Sequence, residues 1–369
     1  MAGLYNGVQA KFMEMEKRAM FVHCLAHCFD LTLQDTVKAV PECRNALNVM
    51  KDLMHFVRDS PKRLDLFAHL KANASTNLKP LCPTRWAARY LAMSSVLPNY
   101  TELQEFFLNV SRKVNSDSGA KANGFFINMQ TYDFFFVLSL LGKLFGHIDT
   151  VNIALQRKSL HLEKANKMIS TLVTSIKFMR NNFESFWGEV TSKCQDMDVD
   201  SPKLSRRRKV KVPKKYDDSI NLSVETFTEV CDKYRRLYYE TMDTSISFLE
   251  SRFKTQQFMF VNQIEQFLLG DNKRSFDILS FYKSDIDKER LLLHRSMFHE
   301  IIQSSDSVIL SSLDDIVKYL KQENHLFDPL PELVKFMRVV LTIPIMSCTA
   351  EQSFLCLRRV KTYLRSIMR

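Results

Sequence analysis

Leu162, Ala165, Ile169, Leu172, Ile176, Met179, Phe183 and Phe186 recur at alternating steps of three and four residues. This apolar seam runs for about seven helical turns and specifies a long helix laid along another helix at a shallow angle. The partner is a neighbouring helix of the same chain or a second subunit.

Most of the remaining sequence carries the same period. Leu47, Met50, Met54 and Val57 share a helical face, and Ser60-Pro61 then supplies an N-cap with proline at the first helical position. Leu64, Phe67 and Leu70 continue the pattern, which predicts a helical hairpin. A polar break at 115–119 precedes an apolar helix from about Phe125 to Ile148, expected to be central because its apolar residues go all round. Periodicity resumes through Phe227, Val230, Tyr234, Leu237, Ile246, Leu249 and Phe253, then around Glu289–Ile302 and Leu313–Leu320. A last section begins at Leu330-Pro331, and Thr349 with Gln352 has the spacing of a capping box at the start of a final helix.

The single convincing strand is the apolar run Ala19–Cys24. Glycine agrees with so little sheet: there are only 8 among 369 residues, where about 7% is usual. The fold class expected is mainly α. Apolar residues at 46% and charged residues at 25% describe a globular chain rather than a disordered one. The eight cysteines are dispersed, the pattern of reduced and mostly buried thiols in an intracellular protein. The start has no basic segment followed by an apolar one, and the apolar stretch Phe134–Leu141 is too short to span a bilayer, so no membrane is expected.

Four segments carry side chains with chemistry. His23-Cys24-Leu25-Ala26-His27-Cys28 packs four potential metal ligands into six residues, yet tetrahedral sites draw paired ligands from separate segments. The pair those sites would need is a second CxxC or HxxxH, and none is present, so Cys24 and His27 are read as structural and no metal is expected. Thr84-Arg85-Trp86 is either a helix start with a packed aromatic or a nucleic-acid contact in which the indole stacks on a base while the guanidinium holds a phosphate.

The segment 196–220 is read as a disordered linker whose basic run includes Arg206, Arg207, Arg208 and Lys209; this run is a nuclear-import signal or simply keeps the linker extended. The net charge of +11 would draw the chain towards polyanions, though many basic proteins meet none. In the last segment Glu351 falls in a first helical turn, where a carboxylate ordinarily complements the helix dipole, and Phe354, Leu357, Val360 and Tyr363 follow near one face. No phosphate-cradling glycine loop, HExxH or GxSxG is present.

Met1–Gln9, Val22–His27 with Leu31 downstream, Thr84-Arg85-Trp86, and the block from Ile343-Pro344 to Leu364-Arg365 together resemble the hAT transposase superfamily, more closely its zinc-finger MYM-type-like, domesticated members. The resemblance implies a partial RNase H-like core of few strands, a large helical insertion and a C-terminal hAT dimerisation helix. On that pattern residues 1–24 are a core remnant, 25–195 and 221–327 the two parts of the insertion, and 328–369 the dimerisation region. Cys24 and His27 fall on the family's Cys-x-x-His motif, Arg85 and Trp86 on its Arg-Trp pair, and Glu351 on its last catalytic glutamate.

Family catalysis uses two aspartates with that glutamate to hold two magnesium ions. The aspartates belong upstream of the segment that begins here at Met1, so the expectation is an N-terminally truncated, non-enzymatic protein that retains Glu351 alone and holds no cofactor. It would act as a homo- or heterodimer through Phe354, Leu357, Val360 and Tyr363. DNA would be a residual partner and the location nuclear, or alternatively cytoplasmic. The rival expectation is a fragment of an active transposase whose aspartates lie upstream.

Overall fold

The computed structural model describes residues 7–16, 25–70, 77–79, 86–113, 117–155, 162–203, 229–253, 256–270, 275–304 and 310–343. Among them there is no strand. In chain order the α-helices are α1 (Val8–Met15), α2 (Leu25–Ala39), α3 (Pro41–Arg58), α4 (Pro61–Leu70), α5 (Trp86–Val96), α6 (Tyr100–Lys113), α7 (Asp117–Gln130) and α8 (Tyr132–Leu155). They continue with α9 (Leu162–Asn181), α10 (Phe183–Gln195), α11 (Val230–Phe253), α12 (Gln256–Leu268), α13 (Ser275–Phe281), α14 (Lys288–Gln303), α15 (Leu313–Gln322) and α16 (Pro331–Leu341). The mainly α expectation holds. The strand expected at Ala19–Cys24 lies outside the described residues, as does the basic run of the linker.

The chain divides into two compact units. Unit 1 comprises Met1–Leu31, Thr150–Leu172 and Leu249–Arg369; unit 2 comprises Thr32–Asp149 and Val173–Phe248.

Unit 2 is built on α8. Phe134, Phe135, Phe136, Leu138, Leu141, Leu144, Phe145 and Ile148 are all buried, as expected of a helix apolar on every side. By length and composition α8 could cross a membrane, but 61% of its most apolar window is buried within the protein. It is a core helix. Two glycines let neighbours come close: a Cβ on Gly142 would lie 2.9 Å from Leu97 Cδ1, and one on Gly146 would lie 3.2 Å from the Tyr90 ring.

The hairpin of α3 and α4 forms where expected. Leu47, Met50, Met54 and Val57 are buried, and Ser60 Oγ accepts from the Arg63 amide at 3.4 Å. Leu64 is the exception at 39% exposed.

Two expected helices are each broken once. The apolar stretch Phe125–Ile148 divides between α7 and α8 at Thr131, whose hydroxyl donates to Asn128 O at 2.7 Å and accepts from the Phe134 amide at 3.4 Å. The long seam divides at Asn182 (φ −105°, ψ 38°), whose side-chain amide donates to Phe178 O at 2.8 Å. Its face nonetheless stays buried from Ala165 through Phe186 and on to Val190 and Cys194.

In unit 2 the seam's partner is a helix of the same chain. Tyr238 of α11 donates to Met179 O at 2.6 Å and packs against Phe183 and Phe186 at 5.4 and 5.2 Å between ring centroids. Trp187 completes this cluster, with Tyr132, Tyr234, Phe136 and Phe183 rings all within 6.0 Å.

Unit 1 has its own core, drawn from α12 to α16, in which Ile264, Phe267, Ile278, Leu291, Phe298, Ile316, Leu330, Leu333 and Phe336 are almost completely buried. That core includes the first part of residues 328–369, on which the resemblance places dimerisation.

Candidate functional site

The stretch from α14 to α16 leads directly into the C-terminal segment. Asp287 caps α14, its Oδ1 accepting from the Glu289 and Arg290 amides at 3.0 and 3.1 Å. The helix then buries Leu291, His294, Arg295, Phe298 and Ile302 on one face.

Arg295 is unusual as a charged group at 6% exposure; its guanidinium lies 4.3 Å from the centroid of the Phe267 ring, a cation–π contact that offsets part of its lost hydration. The neighbouring His299 imidazole is held below its usual value, first by burial and then by the Arg295 charge, with the Leu268 carbonyl acting in the opposite direction. Gly270 lies beside it at φ +113°, a conformation that favours glycine.

α15 and α16 begin with help from other helices. At α15 Ser312 Oγ accepts from the Asp315 amide at 3.1 Å, while the buried Glu265 of α12 accepts from the Leu313 amide at 3.3 Å. At α16 the residue in the cap position is Leu330, which has no side-chain acceptor, and Pro331 follows with no N–H. The Glu332 amide donates instead to Nδ1 of His294, at 3.2 Å. In return Glu332 Oε2 accepts from the Asp287 amide at 3.3 Å. Further along α16, Leu333, Phe336, Met337 and Val340 enter the core, and Phe336 packs edge-on against Phe267 and Tyr282 at 5.9 and 5.8 Å.

Three large apolar side chains of this stretch face water. Leu293 (58% exposed) and Met297 (37%) sit one turn apart on α14, and Leu341 (54%) ends α16.

Of the residues singled out in the sequence, Glu351, Phe354, Leu357, Val360 and Tyr363 lie outside the described residues, as do Cys24, Arg85, Arg206, Arg207, Arg208 and Lys209. Trp86 is the first residue of α5, but its side chain is not described. His27 is half-buried on α2, next to the fully buried Cys28. Among the described residues no group of three His, Cys, Asp or Glu side chains could hold a metal ion.

Cys28, Cys43 and Cys194 are buried, and burial pushes Cys43 up to about 12 and Cys194 to about 11, so neither is a ready nucleophile.

The sequence reading missed Leu293 and Met297, which look like any other apolar positions of an amphipathic helix. It also missed the bonds joining α14 to α16. One signal was available: a proline-initiated helix with leucine at its cap position needs an acceptor from elsewhere.

Residues 295–369 match the family model of the hAT family C-terminal dimerisation region. The match begins within α14 and takes in α15 and α16. No solved structure matches the chain.

Proposed function

We propose that this chain, whose residues 295–369 match the hAT family C-terminal dimerisation region, is a hAT-superfamily, transposase-derived protein that works by self-association through that region rather than by catalysis. The family match carries the reading. Exposed Leu293, Met297 and Leu341 support it, because apolar side chains left in water are the raw material of an interface. Beyond the described residues Phe354, Leu357, Val360 and Tyr363 would add the apolar face of a further helix.

The resemblance assigns catalysis to two aspartates acting together with Glu351. One carboxylate does not assemble a two-metal centre. Nuclear residence would follow from the basic run at Arg206, Arg207, Arg208 and Lys209, and a residual contact with DNA from Arg85 and Trp86.

Sedimentation equilibrium over a concentration series tests the central claim. The unmodified chain is expected to form a dimer at about micromolar concentration, and Leu357→Asp is expected to weaken it at least tenfold, about 1.4 kcal/mol. A monomer throughout that range would overturn the reading.

A further inference from the structure

The bonds between α14 and α16 run in both directions. The Glu332 backbone donates to His294 Nδ1, and the Asp287 backbone donates to the Glu332 carboxylate. Each bond satisfies an amide near the start of a helix, where no intrahelical acceptor exists. The first requires an imidazole whose Nδ1 carries a lone pair, with its proton on Nε2. His294 is only 9% exposed, so its ring has little freedom to leave.

The apolar contacts of α16 are of a different kind. Leu333, Phe336, Met337 and Val340 hold the helix in the core, but burial is non-directional and tolerates small rotations and slides. The two hydrogen bonds fix the helix at its base. An α16 of 11 residues is about 16 Å long, so a tilt of about 10° at the base would displace its far end by about 3 Å. Exposed Leu341 lies at that end, and the chain continues from there into the remainder of the matched region.

We infer that His294 and Glu332 are positioning residues for self-association. Their reciprocal clasp fixes the base of α16 and so sets where exposed Leu341, at its far end, is offered to a second copy of the protein. Neither residue need touch that copy. The inference rests on the self-association reading and adds to it the element that aims the interface.

The test uses the full chain and compares His294→Ala, His294→Asn, Glu332→Ala and Glu332→Gln. Asparagine places an amide oxygen near the position of Nδ1, and glutamine keeps an acceptor in place of the carboxylate. Dimer dissociation constants are measured by sedimentation well below the unfolding temperature, with helix content checked by circular dichroism. Both alanine variants are expected to weaken the dimer at least fivefold with unchanged helix content, and His294→Asn and Glu332→Gln are expected to recover most of the loss. A purely structural role would lower the unfolding temperature and leave the dissociation constant alone.

Alanine variants that fold and associate as tightly as the unmodified chain would overturn the inference. Should His294→Ala fail to fold, nitrogen-15 spectra of the unmodified protein decide, because a proton found on Nδ1 of His294 would remove the clasp. An unmodified chain that is always monomeric would instead defeat the self-association reading, an outcome visible before any variant is made.

Discussion

Asp149 is a buried carboxylate whose burial is poorly compensated. It is 7% exposed on α8, its Oδ1 has no hydrogen-bond partner among the described residues, and burial pushes its carboxyl above the usual carboxylate value of 3.8. A folded value above the unfolded one means that its contribution to stability is fully present below 3.8 and is lost as pH rises through the raised folded value. Asp149→Asn keeps the shape without the charge. It is expected to match the unmodified chain near pH 3 and to exceed it by about 1–3 kcal/mol at pH 7 in urea unfolding. A difference that did not change with pH would show that the carboxylate is solvated after all. Asn152, one turn further on and 5% exposed, also has an unpartnered Oδ1 among the described residues but has no charge to lose.

At the scale of the element, glycine separates helices that need space from helices that merely tolerate it. Gly146 admits the Tyr90 ring, so Gly146→Val should lower stability by about 1–3 kcal/mol through overpacking. At Gly124 and Gly188, within α7 and α10, an added Cβ would meet nothing within 4 Å. Gly124→Ala and Gly188→Ala should each raise stability by about 0.5–1 kcal/mol. Thermal unfolding of the three variants checks the contrast, and equal effects would contradict the packing of α8.

Helix faces were legible in the sequence because burial follows the three-and-four period: Ile169, Leu172, Ile176, Met179, Phe183 and Phe186 are all buried as their spacing requires. Helix ends were less so. The seam passes Asn182 without a change of period, since α10 resumes the same buried face, and the apolar run passes Thr131 for the same reason. Only the local bonds of Thr131 and Asn182 to carbonyls one turn back mark the breaks, and such bonds compete with the helix at many polar residues that do not break it. The need for an outside acceptor at α16 was legible from Leu330-Pro331, but the partner that meets it was not. His294 and Glu332 are 38 residues apart, and nothing in local pattern links them.

For the whole molecule, the net charge of +11 favours encounters with polyanions. If the chain retains affinity for DNA, binding should weaken steeply with added salt, by about one logarithmic unit per logarithmic unit of salt for each phosphate contacted. Arg85→Ala should reduce that slope by about one unit, and Trp86→Ala should weaken binding with the slope unchanged. Binding without salt dependence would reduce the charge to a solvated surface.

Both tryptophans, Trp86 and Trp187, belong to unit 2, and half-buried Trp187 packs against the rings of Tyr132, Tyr234, Phe136 and Phe183. The intrinsic tryptophan emission of this protein is therefore a private signal of one unit. It will follow the loosening of α8, α10 and α11, where tyrosine can pass its excitation to the indole, and it has no emitter in the unit that carries residues 295–369. A single tryptophan introduced into that unit would give it a channel of its own, and the two halves of the chain could then be watched separately in one unfolding experiment.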